Sequence, residues 1–383
     1  AISSNVIEER NLKIRVAHIL RSLEFGGAER LVVDLAGAQK ESGRIEPELV
    51  CLESLGPLHG EAGRRGLSCS LIGSGGVRYL SGIGRMRSHF SRTKPDIVHT
   101  HNFLSHVHAA PAARLAGIPV VHTKHGRAVT SFAWSKRFRR FLYQLADRIV
   151  VVSNETGMSF LAKSGVAPER VVVIHNGIDT SRFVGLDRGG ARRDLGIDGG
   201  AIVFGAVSRL DPVKDHPAML EAFKKISDAC ARCVLVMVGD GPERGAIERM
   251  VKNLGLGGAV RIEGFSAEVP KYLASFDLFL QPSTEEGLSL TILEAAAACV
   301  PVVASSVGGT GEIIEDGLTG TLVPPRDTEA LADAMRRFVG DPAPFREMAR
   351  RAREDVEKRF SLAGMAGAYE ALYTSVLCER GAC

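Results

Sequence analysis

The sequence has no long apolar run of the kind that a membrane-spanning helix requires. Its longest uncharged stretch, Ala295 to Gly311, is 17 residues long and contains Pro301 and the pair Gly308 and Gly309, whereas a spanning helix needs about 20 predominantly apolar residues. The N-terminal residues AISSNVIEER carry acids and no apolar core, so they do not match a secretory signal. We expect a cytoplasmic protein without a transmembrane segment.

A disulfide framework and a recognisable metal-binding pattern are also missing. The seven cysteines are scattered, which is typical of packing in a reducing compartment. Cys230 and Cys233 form a CxxC pair, but no second pair or nearby histidine follows, so we expect them to pack rather than to bind zinc. Aspartates separated by one residue, which commonly present a divalent metal to a nucleotide sugar, do not occur. The sequence therefore predicts chemistry without a metal ion.

Acidic residues are scarce in the N-terminal half of the chain. Residues 1–177 contain 24 lysines and arginines against 14 acids, a net charge of +10, whereas the remainder has a net charge of −6. Between Ala62 and Ala146 the only acid is Asp96. Such a surface attracts anions, and an anionic membrane surface or a phosphorylated lipid is the expected partner, with an ordinary solvated surface as the alternative. The stretch has too few aromatic residues to stack bases, so we expect no nucleic acid partner.

The pattern of apolar runs predicts an α/β protein of two domains. Short β-branched runs alternate with amphipathic stretches of helical length, which is typical of parallel sheets, and 383 residues exceed one typical domain. The predicted strands are 14–20, 48–52, 96–99, 119–123, 148–152 and 171–174, and then 202–207, 234–238, 260–263, 278–281, 302–304 and 320–323. We predict an N-terminal domain over residues 1–177 and a C-terminal domain over 178–361, with a final helix within 362–383 that can pack back on the first domain.

A glycine pair follows the first predicted strand and opens a helix. Gly26 and Gly27 in FGGAER allow the backbone to approach a ligand, and the helix N-terminus offers free N–H groups to a phosphate. A simple tight turn would use the same residues, so the pair predicts an anion site only together with other signals.

Two cations follow the first strand of the second half. Arg209 and Lys214 in SRLDPVKDH are expected to project from the carboxyl end of that strand, where ligands bind to open α/β sheets. Fixed positive charges there can neutralise a diphosphate leaving group without a metal. A surface salt bridge is the structural alternative.

The segment STEEGLSLTILEA carries the sharpest signal. Glu286 and Glu294 are separated by seven residues across a loop and the start of a helix, and the backbone from Gly287 through Leu288 and Ser289 to Leu290 would lie at the helix N-terminus. The following run AAAACVPVV indicates that the helix is buried on most sides, and a buried acid without a partner is costly. We therefore expect the two glutamates to bind sugar hydroxyls.

A second glycine cluster and a set of histidines give weaker signals. Gly239, Asp240 and Gly241 follow an apolar strand but depart from a dinucleotide fingerprint. Histidines 99, 101, 122 and 125 lie on or after two strands without acidic partners, which disfavours a metal site. His125, in TKHG, is the one that we expect to face a cleft and to bond a sugar hydroxyl.

Taken together, these segments resemble glycosyltransferase family 4, whose members have two Rossmann-like domains in the fold called GT-B. The resemblance covers nearly the whole chain through the following segments in order: GGAER, DIVHTHN, HTKHG, VVSNET, HNGID, SRLDPVKD, VMVGDGPER, IEGF, EEGLSLTILEA, PVVASSVGGTGEII and GLTGTLVPP. It implies a retaining glycosyltransferase that needs no metal.

The resemblance also implies roles for single residues, and with them a donor. Glu286 would contact the donor sugar, Glu294 the nucleotide ribose, Arg209 and Lys214 the diphosphate, and His125 the transferred sugar. Gly26 and Gly27 would lie beneath the phosphates, Gly239 within the donor site, and Gly264 with Phe265 beside the base. The expected donor is a UDP-sugar, with GDP- and ADP-sugars as alternatives.

The acceptor is expected to be a saccharide or a lipid-linked saccharide in cell-surface polysaccharide or glycolipid synthesis, which would bring the protein to the inner face of the cytoplasmic membrane. Alternatives with the same fold are a nucleotide-sugar epimerase or a phosphorylase-like enzyme. A non-catalytic nucleotide-sugar-binding partner and a nicotinamide dehydrogenase are alternatives of other classes.

Overall fold

A computed structural model describes residues 13–73, 79–126 and 135–381 and divides them into two compact α/β units. Unit 1 comprises the described residues up to Val151, then Gly157–Ile174 and Met365 onward, whereas unit 2 comprises Val152–Thr156 and His175–Gly364. Among the described helices, none combines the length and apolar character needed to span a bilayer.

Unit 1 is built on a parallel sheet of seven strands in the order β3-β2-β1-β4-β5-β6-β7. The strands are β1 (Ile14–Ser22), β2 (Ile45–Ser54), β3 (Ser68–Leu71), β4 (Ile97–His101), β5 (Val120–Lys124), β6 (Arg148–Val151) and β7 (Val171–Val173). The chain order reverses between β1 and β4, where His18 is paired in register with His99. Ligands of open α/β sheets bind at such a reversal, outside the carboxyl ends of the strands.

Helices cover both faces of this sheet. They are α1 (Gly27–Glu41), α2 (Leu58–Arg64), α3 (Tyr79–Thr93), α4 (Asn102–Leu115), α5 (Lys136–Gln144) and α6 (Asn154–Ser164). Alternation along the strands separates two cores, because successive side chains point to opposite faces. Ala17, Ile19 and Val98 join the core that contains α4 residues, whereas Leu20 and Leu49 pack with α1.

Unit 2 has a six-stranded parallel sheet in the order β10-β9-β8-β11-β12-β13. Its strands are β8 (Ile202–Val207), β9 (Cys233–Val238), β10 (Val260–Gly264), β11 (Leu278–Gln281), β12 (Val302–Ser305) and β13 (Thr321–Val323). The order reverses between β8 and β11. The helices are α7 (Arg188–Asp194), α8 (His216–Ser227), α9 (Arg244–Asn253), α10 (Val269–Ser275), α11 (Leu290–Ala297), α12 (Thr310–Ile313), α13 (Thr328–Gly340) and α14 (Ala343–Arg359).

The final helix, α15 (Leu362–Glu379), contributes its residues from Met365 onward to unit 1. Its buried Tyr373 hydroxyl lies 2.6 Å from His99 Nδ1, and its Tyr369 hydroxyl lies 3.0 Å from Thr123 Oγ1. The C-terminal residues therefore complete the histidine-bearing face of the first sheet.

These two sheets confirm the predicted fold class of two doubly wound parallel-sheet domains. One strand of the first sheet was not predicted. β3 has the sequence SCSL, pairs only with β2 at the sheet edge, and has two exposed residues among its four. It lacks the continuous apolar run by which the buried strands are recognised, because edge strands are covered less completely.

Candidate active site

An ion pair lies at the carboxyl edge of the second sheet, beside the reversal between β8 and β11. Lys214 follows β8 and Glu286 follows β11, and Lys214 Nζ lies 2.6 Å from Glu286 Oε1. The side chains are only 19% and 10% exposed. The structure thus brings two sequence-predicted site residues into direct contact, in a position where solvent screening is reduced.

Gln281, the last residue of β11, holds this carboxylate from a second side. Its Nε2 lies 2.6 Å from Glu286 Oε1 and 2.8 Å from Ser289 Oγ, and its Oε1 accepts a hydrogen bond from Thr291. Gln281 is buried. It was not predicted as a site residue, although a polar side chain that ends an apolar strand at the ligand-binding edge is a usable signal.

The N-terminus of α11 lies in the same group of contacts. Ser289 is the N-cap, and its hydroxyl accepts a hydrogen bond from Ile292 N. Leu288 is buried, and its carbonyl accepts a hydrogen bond from Asn176. Glu294 is half-buried on α11, between the fully buried Leu293 and Ala295.

Two glycines from the loop after β12 support the Glu286 loop, and neither was predicted as a site residue. Gly309 N donates a hydrogen bond to Gly287 O over 2.8 Å. Gly308 has φ 53°, and a Cβ atom there would lie 1.9 Å from the carbonyl oxygen of Glu286. Such a distance is impossible without movement of the backbone, so the sequence GG is a steric requirement of this loop.

Arg209 lies at the same sheet edge but is not drawn into the Lys214–Glu286 contact. Its side chain is 70% exposed, and its Nε lies 3.8 Å from the carboxylate of Asp211. Exposed pairs of this length contribute little to stability. The guanidinium is therefore accessible to a ligand anion.

The glycines after β9 and β10 lie next to each other. Gly239 N donates to Gly264 O over 2.7 Å, and a Cβ atom at Gly239 would lie 1.8 Å from Ser208 O. Phe265, which follows, is 50% exposed. The structure thus places these three predicted donor residues in one neighbourhood of unit 2.

The predicted glycine pair of unit 1 opens α1 as expected, since Gly26 is its N-cap and Gly27 its first residue. The acid Glu29 lies in the first turn, and its carboxylate is the group that a Cβ at Gly26 would meet. An acid at this position favours the helix dipole. A phosphate at these N–H groups would have to displace that side chain.

His125 follows β5 and is the end of a chain of buried hydrogen bonds within unit 1. Gln39 Oε1 lies 2.8 Å from His18 Nε2, His18 Nδ1 lies 3.0 Å from His101 Nε2, and His101 Nδ1 lies 2.9 Å from His125 Nε2. We call these four residues the histidine relay. Burial lowers the pKa of His18 and of His125 to about 4 and that of His101 well below its usual range, so the relay is neutral at pH 7.

Three of the described histidines, His18, His99 and His101, have ring nitrogens close enough to hold a metal ion. Their nitrogens are instead occupied by hydrogen bonds. His99 contacts Tyr373 through Nδ1 and Thr123 through Nε2, at 2.6 and 2.7 Å. A metal would have to break these contacts, so the donor set fits a hydrogen-bonded network better than a zinc site.

A second histidine group lies on the other face of β4 and β5. Thr100 Oγ1 lies 2.9 Å from both His106 Nδ1 and His122 Nδ1, and His106 Nε2 lies 2.9 Å from Leu142 O. Burial lowers the pKa of both histidines. His122, which was considered with the others from the sequence, thus belongs to a group separate from the histidine relay.

A cavity of about 380 Å³ in unit 2 is lined by Glu312, His175 and Asn154, among others. Burial alone would raise the pKa of Glu312, but hydrogen bonds from His175 and Asn154 outweigh it and lower that pKa. The carboxylate is thus satisfied by the protein itself, and the cavity is a weaker candidate for ligand binding than the edge around Lys214.

Two family models match this sequence. One, described as glycosyl transferases group 1, matches residues 187–359, and the other, described as glycosyltransferase family 4, matches residues 25–182. Together the two matches include the β8–β11 edge and all members of the histidine relay except His18.

The chain is also similar to characterised proteins. It is 32% identical to N-acetyl-alpha-D-glucosaminyl L-malate synthase of Bacillus anthracis over 78% of this chain and 79% of that protein. It is 27% identical to the UDP-Gal:alpha-D-GlcNAc-diphosphoundecaprenol alpha-1,3-galactosyltransferase of Escherichia coli over 96% and 98%. Among solved structures, HepE of Anabaena in complex with UDP and glucose shares the fold with a TM-score of 0.84 and 22% identity, over 94% of this chain and 100% of that one.

Proposed function

The chain belongs to the group 1 glycosyl transferases of family 4 and is a glycosyltransferase with the GT-B fold, and from this we propose that it transfers a hexose from a nucleotide-diphosphate sugar with retention of configuration and without a metal ion. The observation that carries the proposal is the contact of Lys214 with Glu286, fixed by Gln281 beside the N-terminus of α11. It presents a cation and a carboxylate side by side, which are the groups that a diphosphate and a sugar hydroxyl require.

The cations act on the leaving group. Lys214 and the exposed Arg209 stabilise the charge that develops on the diphosphate, which is the role that a metal has in other transferases. Glu286 contacts the transferred sugar, and Glu294 holds the ribose hydroxyls. The N–H groups of residues 287–290 add partial positive charge at the α11 N-terminus.

The transfer itself needs no protein nucleophile. The bond between the anomeric carbon and the phosphate oxygen breaks, and the acceptor oxygen bonds to the same face of that carbon. The acceptor's proton moves to the departing phosphate oxygen, so atoms and charges balance. The protein contributes position and charge stabilisation.

We propose a UDP-sugar as donor and a saccharide or lipid-linked saccharide as acceptor. The name of the Escherichia coli relative specifies UDP-galactose and a diphosphoundecaprenol acceptor for that protein, and HepE was crystallised with UDP and glucose. Both support a uridine nucleotide here. The products would enter cell-surface polysaccharide or glycolipid.

Calorimetric titration with UDP, GDP and ADP in the presence of EDTA tests the donor site. We expect one nucleotide to bind with micromolar affinity and Glu294→Ala to weaken it at least tenfold, because two ribose hydroxyls would lose a charged acceptor. The matched control is Glu285→Ala, which removes an exposed acid of the same segment and should leave the affinity unchanged.

Activity assays with sugar derivatives of the nucleotide that binds distinguish a transferase from an epimerase. The proposal predicts release of nucleotide only when an acceptor is added. The new glycosidic linkage should have the same anomeric configuration as the donor. A product epimerised without acceptor would indicate an epimerase, and loss of binding in EDTA that Mg²⁺ or Mn²⁺ restores would contradict metal independence.

We also propose that unit 1 binds an anionic membrane surface through α5. This helix has no acid, and Lys136, Arg137, Arg139, Arg140 and Phe141 are all exposed. The exposed Arg85 and Arg87 of α3 add charge to the same unit. Basic residues with an exposed aromatic ring suit anionic lipid headgroups.

Flotation with vesicles tests this surface. We expect binding to anionic but not to neutral vesicles at low salt, and a loss of about tenfold in the double variant Arg137→Gln with Arg139→Gln. The double variant Arg350→Gln with Arg351→Gln removes equal charge from α14 of unit 2 and serves as the control. Equal binding to both vesicle types would exclude the proposal.

A further inference from the structure

The direction of the hydrogen bonds in the histidine relay follows from the orientation of the Gln39 amide at its buried end. A neutral imidazole has one N–H and one bare nitrogen, so each contact between two rings needs one proton. In the structure Gln39 presents its carbonyl oxygen to His18, so His18 donates from Nε2 and accepts at Nδ1. The amide nitrogen of Gln39 is buried and has no partner among the described residues. The same rule makes His101 donate from Nε2 to His18 and accept at Nδ1 from His125.

The relay leaves His125 with a bare Nδ1. This atom is buried and has no hydrogen-bond partner among the described residues. Protonation cannot relieve it near neutral pH, because burial lowers the pKa of His125 to about 4. A buried acceptor without a partner is costly and requires an explanation.

The backbone that carries the His125 ring is also held in place. The N–H of His125 donates to Asn102 Oδ1 over 3.3 Å, and Asn102 adopts φ 62°, in the left-handed region. Such strain is usually found where a side chain has to be aimed. Orientation and tautomer of His125 are therefore set by different neighbours.

We infer that Gln39, His18 and His101 are positioning residues that fix His125 as a hydrogen-bond acceptor for a hydroxyl group of the ligand. The inference rests on the proposed function, which supplies a sugar hydroxyl as the donor of that bond. The inference adds a chemical rule to the proposed function. The group that His125 recognises must carry a proton, so an analogue with a fluorine or an ether oxygen in its place should be a poor ligand.

Two substitutions of Gln39 separate the direction of the relay from its packing. Gln39→Met keeps the length of the side chain but removes the acceptor, so the tautomers of all three histidines become free to mix. Gln39→Glu replaces the amide by a carboxylate, which accepts through either oxygen, and should therefore preserve the wild-type direction of the hydrogen bonds. If Gln39 instead donated to His18, Gln39→Glu would disrupt the relay as much as Gln39→Met does.

Long-range ¹H–¹⁵N correlation spectra of the ligand-free protein report the protonated nitrogen of each histidine. We expect His125 to carry its proton on Nε2 in the wild type and in Gln39→Glu, and to show a mixed state in Gln39→Met. His106→Gln, which alters the separate histidine group on the other face, is the control and should leave His125 unchanged. A proton on Nδ1 of His125 in the wild type would overturn the inference.

Kinetics with wild-type protein give a second measurement that needs no variant. Among mono-deoxy and mono-deoxyfluoro analogues of the active donor, we expect at least one position at which both replacements lower kcat/KM by about tenfold, since fluorine cannot donate. The position that faces His125 is the one whose discrimination depends on Gln39. Gln39→Met should reduce that discrimination and Gln39→Glu should retain it. Fluoro analogues as good as the parent at every position would exclude the acceptor role of His125.

The two proposals fail in different ways. Absence of nucleotide-sugar binding would refute the proposed function while the tautomer of His125 remained measurable. Normal turnover with an unchanged His125 tautomer in Gln39→Met would refute the relay alone.

Discussion

Backbone contact between Gly308 and Glu286 shows how much the candidate site depends on single residues. The carboxylate of Glu286 is held by Lys214 and Gln281, but the loop that carries it is held by Gly308, whose φ is 53°. A side chain at Gly308 has no space because the carbonyl oxygen of Glu286 occupies the Cβ position. The position of the carboxylate therefore depends on a residue that is not itself part of the ion pair.

Gly308→Ala should impair the enzyme by moving this loop. We expect a loss of at least tenfold in kcat/KM and about 1–3 kcal/mol in the free energy of unfolding, since the residue combines a left-handed conformation with a backbone clash. Gly311→Ala is the matched control, because a Cβ there meets open space. Donor kinetics and urea unfolding check both, and equal effects of the two variants would contradict the steric argument.

The sequence predicted the charged members of the site but not the amides that hold them. Glu286, Glu294, Arg209 and Lys214 were found because charge next to an apolar strand is conspicuous. Gln39 has no comparable signature, and Gln281 has only the weaker one of a polar residue that ends an apolar strand. An amide acts as a site residue only when the register of the strands brings a partner within reach. The contact between His18 and His101 likewise depends on the pairing of β1 with β4, which no local pattern encodes.

At the scale of elements, α11 connects the stability of unit 2 to its chemistry. The N-cap hydroxyl of Ser289 accepts from Ile292 N and also lies 2.8 Å from Gln281 Nε2. Because Gln281 bonds Glu286 as well, the cap of the helix and the position of the carboxylate share one amide. A change at the cap should therefore be felt at the donor site.

Ser289→Ala should lower the free energy of unfolding by about 1 kcal/mol and weaken donor binding severalfold, because Gln281 loses a partner that orients it. Asp327→Ala is the control, since Asp327 caps α13 by accepting from Ala330 N away from these residues. It should cost similar stability and leave donor affinity unchanged. Urea unfolding and calorimetry measure the two effects, and unchanged affinity in Ser289→Ala would show that the cap is only structural.

The elements themselves were predictable where burial imposes a pattern. Strands covered on both faces, such as β8 with the sequence IVFGAV, are continuous apolar runs. β3 was not predicted because an edge strand of four residues with two serines has no continuous apolar run. The order of the strands could not be read either, since adjacency in a parallel sheet is decided by crossovers of the whole chain.

For the whole molecule, the two units differ in how they hold histidine. Unit 1 encloses His18, His99, His101, His106 and His122 almost completely, and burial holds their pKa values at about 4 or well below the usual range. In unit 2 the corresponding case is His216, whose pKa burial lowers to about 4. Because unit 1 holds more buried neutral histidines than unit 2, we expect the two units to differ in their stability to acid.

We predict that mild acid unfolds unit 1 before unit 2. Between the ordinary histidine pKa of about 6.5 and the lowered pKa values of the folded state, the unfolded chain binds protons that the folded unit excludes. Stability is therefore complete above pH 6.5 and falls as the pH drops. Each buried neutral histidine can remove up to about 1.4 kcal/mol per pH unit in this range. Unit 1 contains these five histidines and also His125, whose pKa burial lowers to about 4, so the cost in unit 2 is smaller.

Pulse-labelling hydrogen exchange at pH 7, 6 and 5, read by peptide mass spectrometry in low urea, resolves the two units. We expect peptides of β1, β4 and β5 to lose protection at pH 5 while those of β8 and β11 keep it. Carboxylates do not affect this comparison. Those with lowered pKa values, such as Glu48 beside His89, lose their contribution to the free energy of unfolding only in stronger acid. Simultaneous loss in both units would mean that they unfold cooperatively, and earlier loss in β8 and β11 would contradict the burial of neutral histidines as the determinant.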